Sequence, residues 1–257
     1  GRTFSKRIFD IFFTKKILSN ASKVVALNQN EFKIYKDIGF TEDRIDLIPN
    51  GIDLKEYGTL PGKKRFKEKY GIMPDEKIIL YLGRLDKIKG IDLLIESFYE
   101  LLHTFTNVKL VIVGPDHGIM DSLKSKVISL RIKEGTVIFT GPLYGKDKLE
   151  AYTSSDIYVL PSIYETFPTT LLEACACGKP VIVTEGCNIA EIIIDNCCGF
   201  VVKYDKMALK NAILTLLTEQ KLIEKLGDNG KKFVVNNCVW NKIVYKFENI
   251  YKSIIED

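Results

Sequence analysis

The sequence predicts an α/β fold in which a parallel sheet carries helices on both faces. Three observations point to it. Short apolar runs rich in Val, Ile and Leu recur along the chain and read as strands buried on both sides. A helical pattern follows nearly every run, and repeated strand-then-helix units build parallel sheets with right-handed crossovers. One stretch, Pro161 to Pro180, sets two carboxylates, Glu165 and Glu173, around the start of a helix at the exit of such a strand.

Taken in order, residues 1–20 mix Lys6, Arg7, Lys15 and Lys16 with Phe4, Ile8, Phe9, Phe12 and Phe13. The lysines interrupt the apolar run, so it is not a signal peptide. Two readings stand: a membrane-surface helix, and a helix with buried faces. The second is preferred, because the apolar residues circle most of the helix. Lys23–Leu27 reads as a strand, residues 31–38 as a helix capped from Asn28 and ended by Gly39, and Arg44–Ile48 as a strand. Pro49-Asn50-Gly51 is turn chemistry, and residues 52–62, with Gly58, Pro61 and Gly62, read as a linker.

Regular alternation follows. Strands are predicted over 78–82, 108–113, 136–139, 157–160, 181–184 and 200–202. Helices are predicted over 64–70, 90–105, 120–131, 146–154, a segment opened by Pro168 and closed by Gly178, 190–194, 207–217, 222–235 and 243–255.

Composition sets the bounds. With 257 residues, 46% of them hydrophobic, a sizeable core in one or two domains is expected. A net charge of +4, with lysines spread along the chain, does not call for nucleic acid. No segment reaches the roughly 18 apolar residues that span a bilayer. The six cysteines show no C-x-x-C spacing and there are only two histidines, so reduced thiols acting as small hydrophobes in a cytoplasmic protein are preferred over a redox or metal role. The chain opens on Gly1 rather than Met, which reads as part of a longer protein.

In such a sheet, ligands sit beyond the carboxyl ends of the strands. The expected exit loops are Gly83–Gly90, Gly114–Gly118, Thr140–Leu143 and the segment holding Ser162 and Glu165. Arg84 can fork onto phosphate oxygens and Lys89 can add a point charge. The N–H groups near Thr169, Thr170 and Leu171 add neutral donors at the positive end of a helix. Carboxylates accept hydrogen bonds from vicinal hydroxyls, so Glu173 suits a ribose and Glu165 a second sugar. Together these describe a nucleotide-diphosphate-sugar site. His117 is either a sugar contact or a plain loop histidine, and His103 is structural. An NAD-type enzyme would carry G-x-G-x-x-G where the chain reads Gly83-Arg84-Leu85-Asp86-Lys87-Ile88.

The spacing Glu165-x7-Glu173, the segment Gly83-Arg84-Leu85 with Lys89-Gly90, and Ile48-Pro49-Asn50-Gly51-Ile52-Asp53 resemble the retaining GT-B glycosyltransferases of family 4, or group 1. The resemblance covers nearly the whole chain. It implies the Rossmann-like C-terminal half of a GT-B fold over residues 56–237, the tail of an N-terminal domain over 1–55, and a C-terminal helix over 238–257 packing back on that tail. It implies a hexosyltransferase with a nucleotide-diphosphate sugar as donor, UDP or GDP foremost, and no other cofactor or metal. The acceptor would be a glycan, a lipid-linked sugar or a small molecule, and the location the cytoplasm or the cytosolic face of a membrane, contacted through residues 1–20. By matching position, Arg84 and Lys89 would hold the diphosphate, Glu165 the donor sugar and Glu173 the ribose. Gly83, Gly114, Phe167, Thr169, Thr170 and Leu171 would border the donor, with Gly141 and Pro142 near the base. Family members often read Glu-Gly-Phe-Gly at the first glutamate. Here it is Glu165-Thr166-Phe167-Pro168, so a different donor fit is expected. A non-catalytic binding module that needs a partner is the alternative.

Overall fold

The structure is a computed structural model and describes residues 15–256; the reading of residues 1–14 lies outside them. The chain forms two compact units. One comprises the residues up to Asn50 with those from Trp240, the other Gly51–Val239.

In the smaller unit, β1 (Val24–Ala26) and β2 (Ile45–Leu47) pair in parallel. Helix α1 (Lys15–Asn20) precedes them and α2 (Gln29–Asp37) connects them. The start of α2 is fixed reciprocally: the Glu31 N–H donates to the Asn28 side chain at 3.0 Å, and the Leu27 N–H donates to the Glu31 carboxylate at 2.8 Å. The last helix, α11 (Trp240–Glu256), sets Ile243 and Ile250, two turns apart on one face, against Ile48.

The larger unit carries β3 (Lys77–Leu82), β4 (Val108–Val113), β5 (Val137–Gly141), β6 (Ile157–Leu160), β7 (Val181–Thr184) and β8 (Gly199–Val202). All pair in parallel, in the order β5-β4-β3-β6-β7-β8. The helices are α3 (Lys64–Lys69), α4 (Ile91–Leu102), α5 (Met120–Ser129), α6 (Gly145–Ser154), α7 (Thr169–Ala176), α8 (Ala190–Asp195), α9 (Lys206–Thr218) and α10 (Gln220–Asn237). Helix α4 packs on α5 and α9, α6 on α3, and α7 on α10. The four inner strands are buried almost throughout and the edge strands β5 and β8 only partly, as covering on both faces requires. Ile78, Ile79, Leu80, Leu94 and Ile95 are fully enclosed, each contributing about 1.5–3 kcal/mol by burial.

The strand order places the site. From β3 the chain winds outward to β5, returns to lay β6 beside β3, and winds outward on the other side. The loops leaving β3 and β6 therefore diverge, and a crevice opens between them.

Differences from the sequence reading have local causes. Residues 52–62 are not a plain linker. They hold a 3-10 turn, Leu54–Tyr57, capped by Asp53, and bury Ile52 and Tyr57. Gly58, Pro61 and Gly62 outweigh those two anchors in the composition. Strand β5 runs on to Gly141 because its register shifts between Ile112 and Val113. Helix α5 stops at Ser129, and Arg131 just beyond it adopts φ 54. Among the described residues no helix is long and apolar enough to cross a membrane.

None of the six cysteines forms a disulfide with a described residue, and five are buried. Burial pushes Cys177 and Cys187 up from 9.0 to about 12, with the Glu165 charge adding to the shift of Cys187. Between these values the folded chain keeps protons that the unfolded chain releases. Their contribution to stability is thus fully present below about pH 9 and is lost as pH rises toward about 12. Urea midpoints measured between about pH 8 and 11 should fall less steeply for Cys177→Ala/Cys187→Ala than for the parent; parallel curves would contradict this.

Candidate active site

The crevice between the β3 and β6 exits is a cavity of about 260 Å³. Tyr81, Leu82, Gly83, Arg84 and Lys89 line one side, and Leu160, Glu165, Phe167, Pro168, Thr169 and Thr170 the other.

The β3 exit is held by its own backbone and by a tyrosine. The Tyr81 hydroxyl donates to the Arg84 carbonyl at 2.7 Å. The Gly83 N–H donates to Val113 O at 3.0 Å, and the Gly114 N–H to Gly141 O at 3.1 Å. A Cβ on Gly114, at φ +152, would stand 1.8 Å from the Gly83 carbonyl oxygen, so only glycine permits this approach. Gly114, Gly141 and Pro142 do not border the cavity. The two glycines support the Gly83 turn from the neighbouring strands.

The charged groups are distributed unevenly. The Arg84 guanidinium is exposed and makes no salt bridge with any described residue. Lys89 ends a 3-10 turn, Lys87–Lys89, capped by Asp86. Its ammonium pairs with the Glu165 carboxylate, and the two side chains are only 13% and 14% exposed. The main chain of Glu165 is pinned by the loop after β7: its N–H donates to Gly186 O at 3.2 Å and its carbonyl accepts from the Asn188 N–H at 2.8 Å.

Helix α7 points its start into the crevice. Pro168 is its cap, with ψ 118, and not its first helical residue as the sequence suggests. This orientation turns the Pro168 carbonyl to accept from the Leu171 N–H at 3.3 Å. Leu171 is fully buried and its N–H is engaged, so Thr169 and Thr170 are left with the unpartnered N–H groups. The Tyr158 hydroxyl lies 2.8 Å from the Thr170 hydroxyl and 3.1 Å from Leu82 O, tying α7 to the end of β3.

Glu173 lies one turn deeper and does not line the cavity. Its carboxylate accepts from Lys148 Nζ at 2.7 Å and from the Tyr152 hydroxyl at 2.8 Å. A second phenol, Tyr57, is pushed up first by burial and then by the Glu173 charge, and Tyr152 is raised chiefly by burial. Both therefore remain neutral and protonated. His117 is exposed, its N–H bonded to Leu85 O at 3.1 Å, and His103 stacks edge-on against Tyr99 at 4.8 Å.

Sequence reasoning missed Tyr57, Tyr81, Lys148, Tyr152 and Tyr158. A signal was present. Tyr81 and Tyr158 sit in buried runs of apolar strand residues, where a hydroxyl must find a partner. A larger cavity, about 460 Å³, opens at Pro61, Arg65 and Glu150. There Arg65 Nε already donates to Glu150 at 2.7 Å, so its cation is spent.

Fold and crevice define a Rossmann-like unit of the GT-B type, with a crevice at its switch point. Residues 62–233 match the family model described as glycosyl transferases group 1. The "uncharacterized glycosyltransferase MJ1607" of Methanocaldococcus jannaschii is 32% identical, over 84% of this chain and 55% of its own length. Sucrose-phosphate synthase from Thermosynechococcus elongatus superposes with a TM-score of 0.80 at 27% identity, covering 95% of this chain and 61% of that one. Anabaena HepE in complex with UDP-glucose gives 0.80 at 21% identity, over 94% and 68%, a likeness of fold. The chain belongs to the group 1 glycosyl transferase family. It spans about half to two thirds of the length of the curated relatives it matches.

The pairing of Glu173 is testable. Lys148→Met leaves a largely buried carboxylate without its cation and should cost about 1–3 kcal/mol in urea unfolding. Adding Glu173→Gln should recover part of that loss. Strictly additive losses would show that the two groups do not interact.

Proposed function

We propose that this chain is the donor-binding portion of an enzyme that transfers a sugar from a nucleotide-diphosphate sugar to an acceptor, with retention at the anomeric carbon. One observation carries the reading. At the switch point, a guanidinium and two N–H groups at a helix start, none of them with a partner among the described residues, border with a lysine a cavity that also holds a carboxylate. A diphosphate brings about two negative charges to such a place, and Arg84 can bind it through paired N–H donors. As the bond to the sugar breaks, charge grows on the departing diphosphate. Arg84 and the start of α7 border it, and Lys89 joins them by turning from its pair with Glu165, which lowers the barrier with little reorganisation. Glu165 takes the hydroxyls of the donor sugar, and Glu173 those of the ribose with Lys148 and Tyr152 holding it. The departing diphosphate accepts the acceptor's proton. HepE, which shares the fold and was solved with UDP-glucose, supports UDP as the carrier to try first.

A second reading, a nucleotide-sugar-binding module that turns over only with a partner, draws on the share of its relatives that this chain spans. Donor hydrolysis or transfer by the chain alone favours the first reading. Binding without turnover favours the second.

The phosphate role separates cleanly from the nucleoside role. By calorimetry, Arg84→Ala should weaken UDP by about tenfold to a hundredfold, near the worth of a charge-assisted pair, and leave uridine unchanged. Glu173→Ala should weaken both alike. Equal losses for UDP and uridine in Arg84→Ala would remove Arg84 from the diphosphate.

A further inference from the structure

We infer that Glu165, through its ion pair with Lys89, makes the site discriminate between the intact donor and the free nucleoside diphosphate. The inference rests on the reading of this crevice as a nucleotide-sugar site.

Lys89 and Glu165 neutralise each other in an enclosed position. Among the described residues, the Ser162 hydroxyl, at 3.4 Å, is the one hydrogen-bonding group besides Lys89 at the Glu165 carboxylate. The loops that carry the pair cannot retreat from one another. The Ile163 N–H donates to Ile88 O at 2.8 Å, and a Cβ on Gly90 would stand 2.0 Å from Pro161 O. Glu165 is held further by Gly186 and Asn188. Any change of partner is therefore a swing of two side chains on fixed backbone.

A diphosphate in the cavity offers Lys89 a second anionic partner. If the ammonium turns to phosphate, Glu165 is left enclosed with one distant hydroxyl, and an uncompensated buried carboxylate is costly. A sugar attached to the diphosphate removes that cost, because its hydroxyls donate to the carboxylate as the lysine leaves. Free UDP has no such hydroxyls at that end. It must strand Glu165 or bind without the full help of Lys89. The donor thus satisfies both members of the pair and the product only one, so loss of the sugar restores the ion pair and favours release of the nucleotide.

The test is calorimetry of the full chain with UDP and UDP-glucose, on the parent, Glu165→Gln, Lys89→Gln and the double variant. Glu165→Gln should tighten UDP by about tenfold and shrink the advantage of UDP-glucose over UDP. In the Lys89→Gln background the same change should move UDP by less than about twofold, since no cation is left to free. Glu165→Asp keeps the charge but shortens the reach, and should tighten UDP in the same direction. That variant also reads the inference if Glu165→Gln does not fold. Unchanged or weaker UDP binding in the Glu165 variants overturns the inference. So does equal tightening in the Lys89→Gln background, which would mark a bare effect of removing charge. A parent that binds UDP with these outcomes leaves the nucleotide-sugar reading standing, whereas a parent that binds neither UDP nor GDP overturns both.

Discussion

The site depends on backbone meeting backbone where no side chain fits. The Gly83 turn leans on Gly114, and Gly90 on Pro161, at separations that a Cβ would make impossible. The first braces the β3 exit from β4, and the second joins the β3 and β6 exits across the boundary where the sheet reverses its winding. They turn two diverging loops into a rigid frame. Donors held on a rigid frame meet an incoming charge with little reorganisation, which is the main electrostatic advantage a binding site has over water.

On that frame the charges follow a simple rule. Each enclosed carboxylate has a cation of its own, Glu165 with Lys89 and Glu173 with Lys148. Among the described residues Arg84 and the start of α7 have no countercharge, so the crevice carries a surplus of positive charge. The tyrosines serve as neutral donors. Tyr81 shapes the β3 exit, Tyr158 joins β3 to α7, and Tyr152 shares Glu173 with its lysine. Burial raises all three above the ordinary phenol range, which keeps them protonated donors.

Much of this was legible in the sequence. Parallel strands covered on both faces carry their signature as unbroken apolar runs, and all six appeared within a few residues of their places. The meeting of Arg84, Lys89, Glu165 and the start of α7 followed from reading what leaves each strand. What stayed hidden depends on distances between segments far apart in the chain. No pattern joins Lys148 to Glu173, 25 residues on, or shows that Lys89 and Glu165 consume each other's charge. Residues 52–62 misled for a different reason: glycine and proline mark irregular backbone but do not say whether it is loose, and Ile52 and Tyr57 anchor it. Pro168 fell one position from its expected place, which changed which N–H groups remain open.

The central claim is that the β3–β6 crevice, and not the larger cavity at Arg65, receives the diphosphate. A crystal structure of the chain with UDP bound tests it most directly. The assignment predicts phosphate oxygens within hydrogen-bonding distance of Arg84 and of the N–H groups of Thr169 and Thr170, with the ribose toward Glu173. Phosphates seated beside Arg65 and Lys146, or lying away from the start of α7, would contradict it.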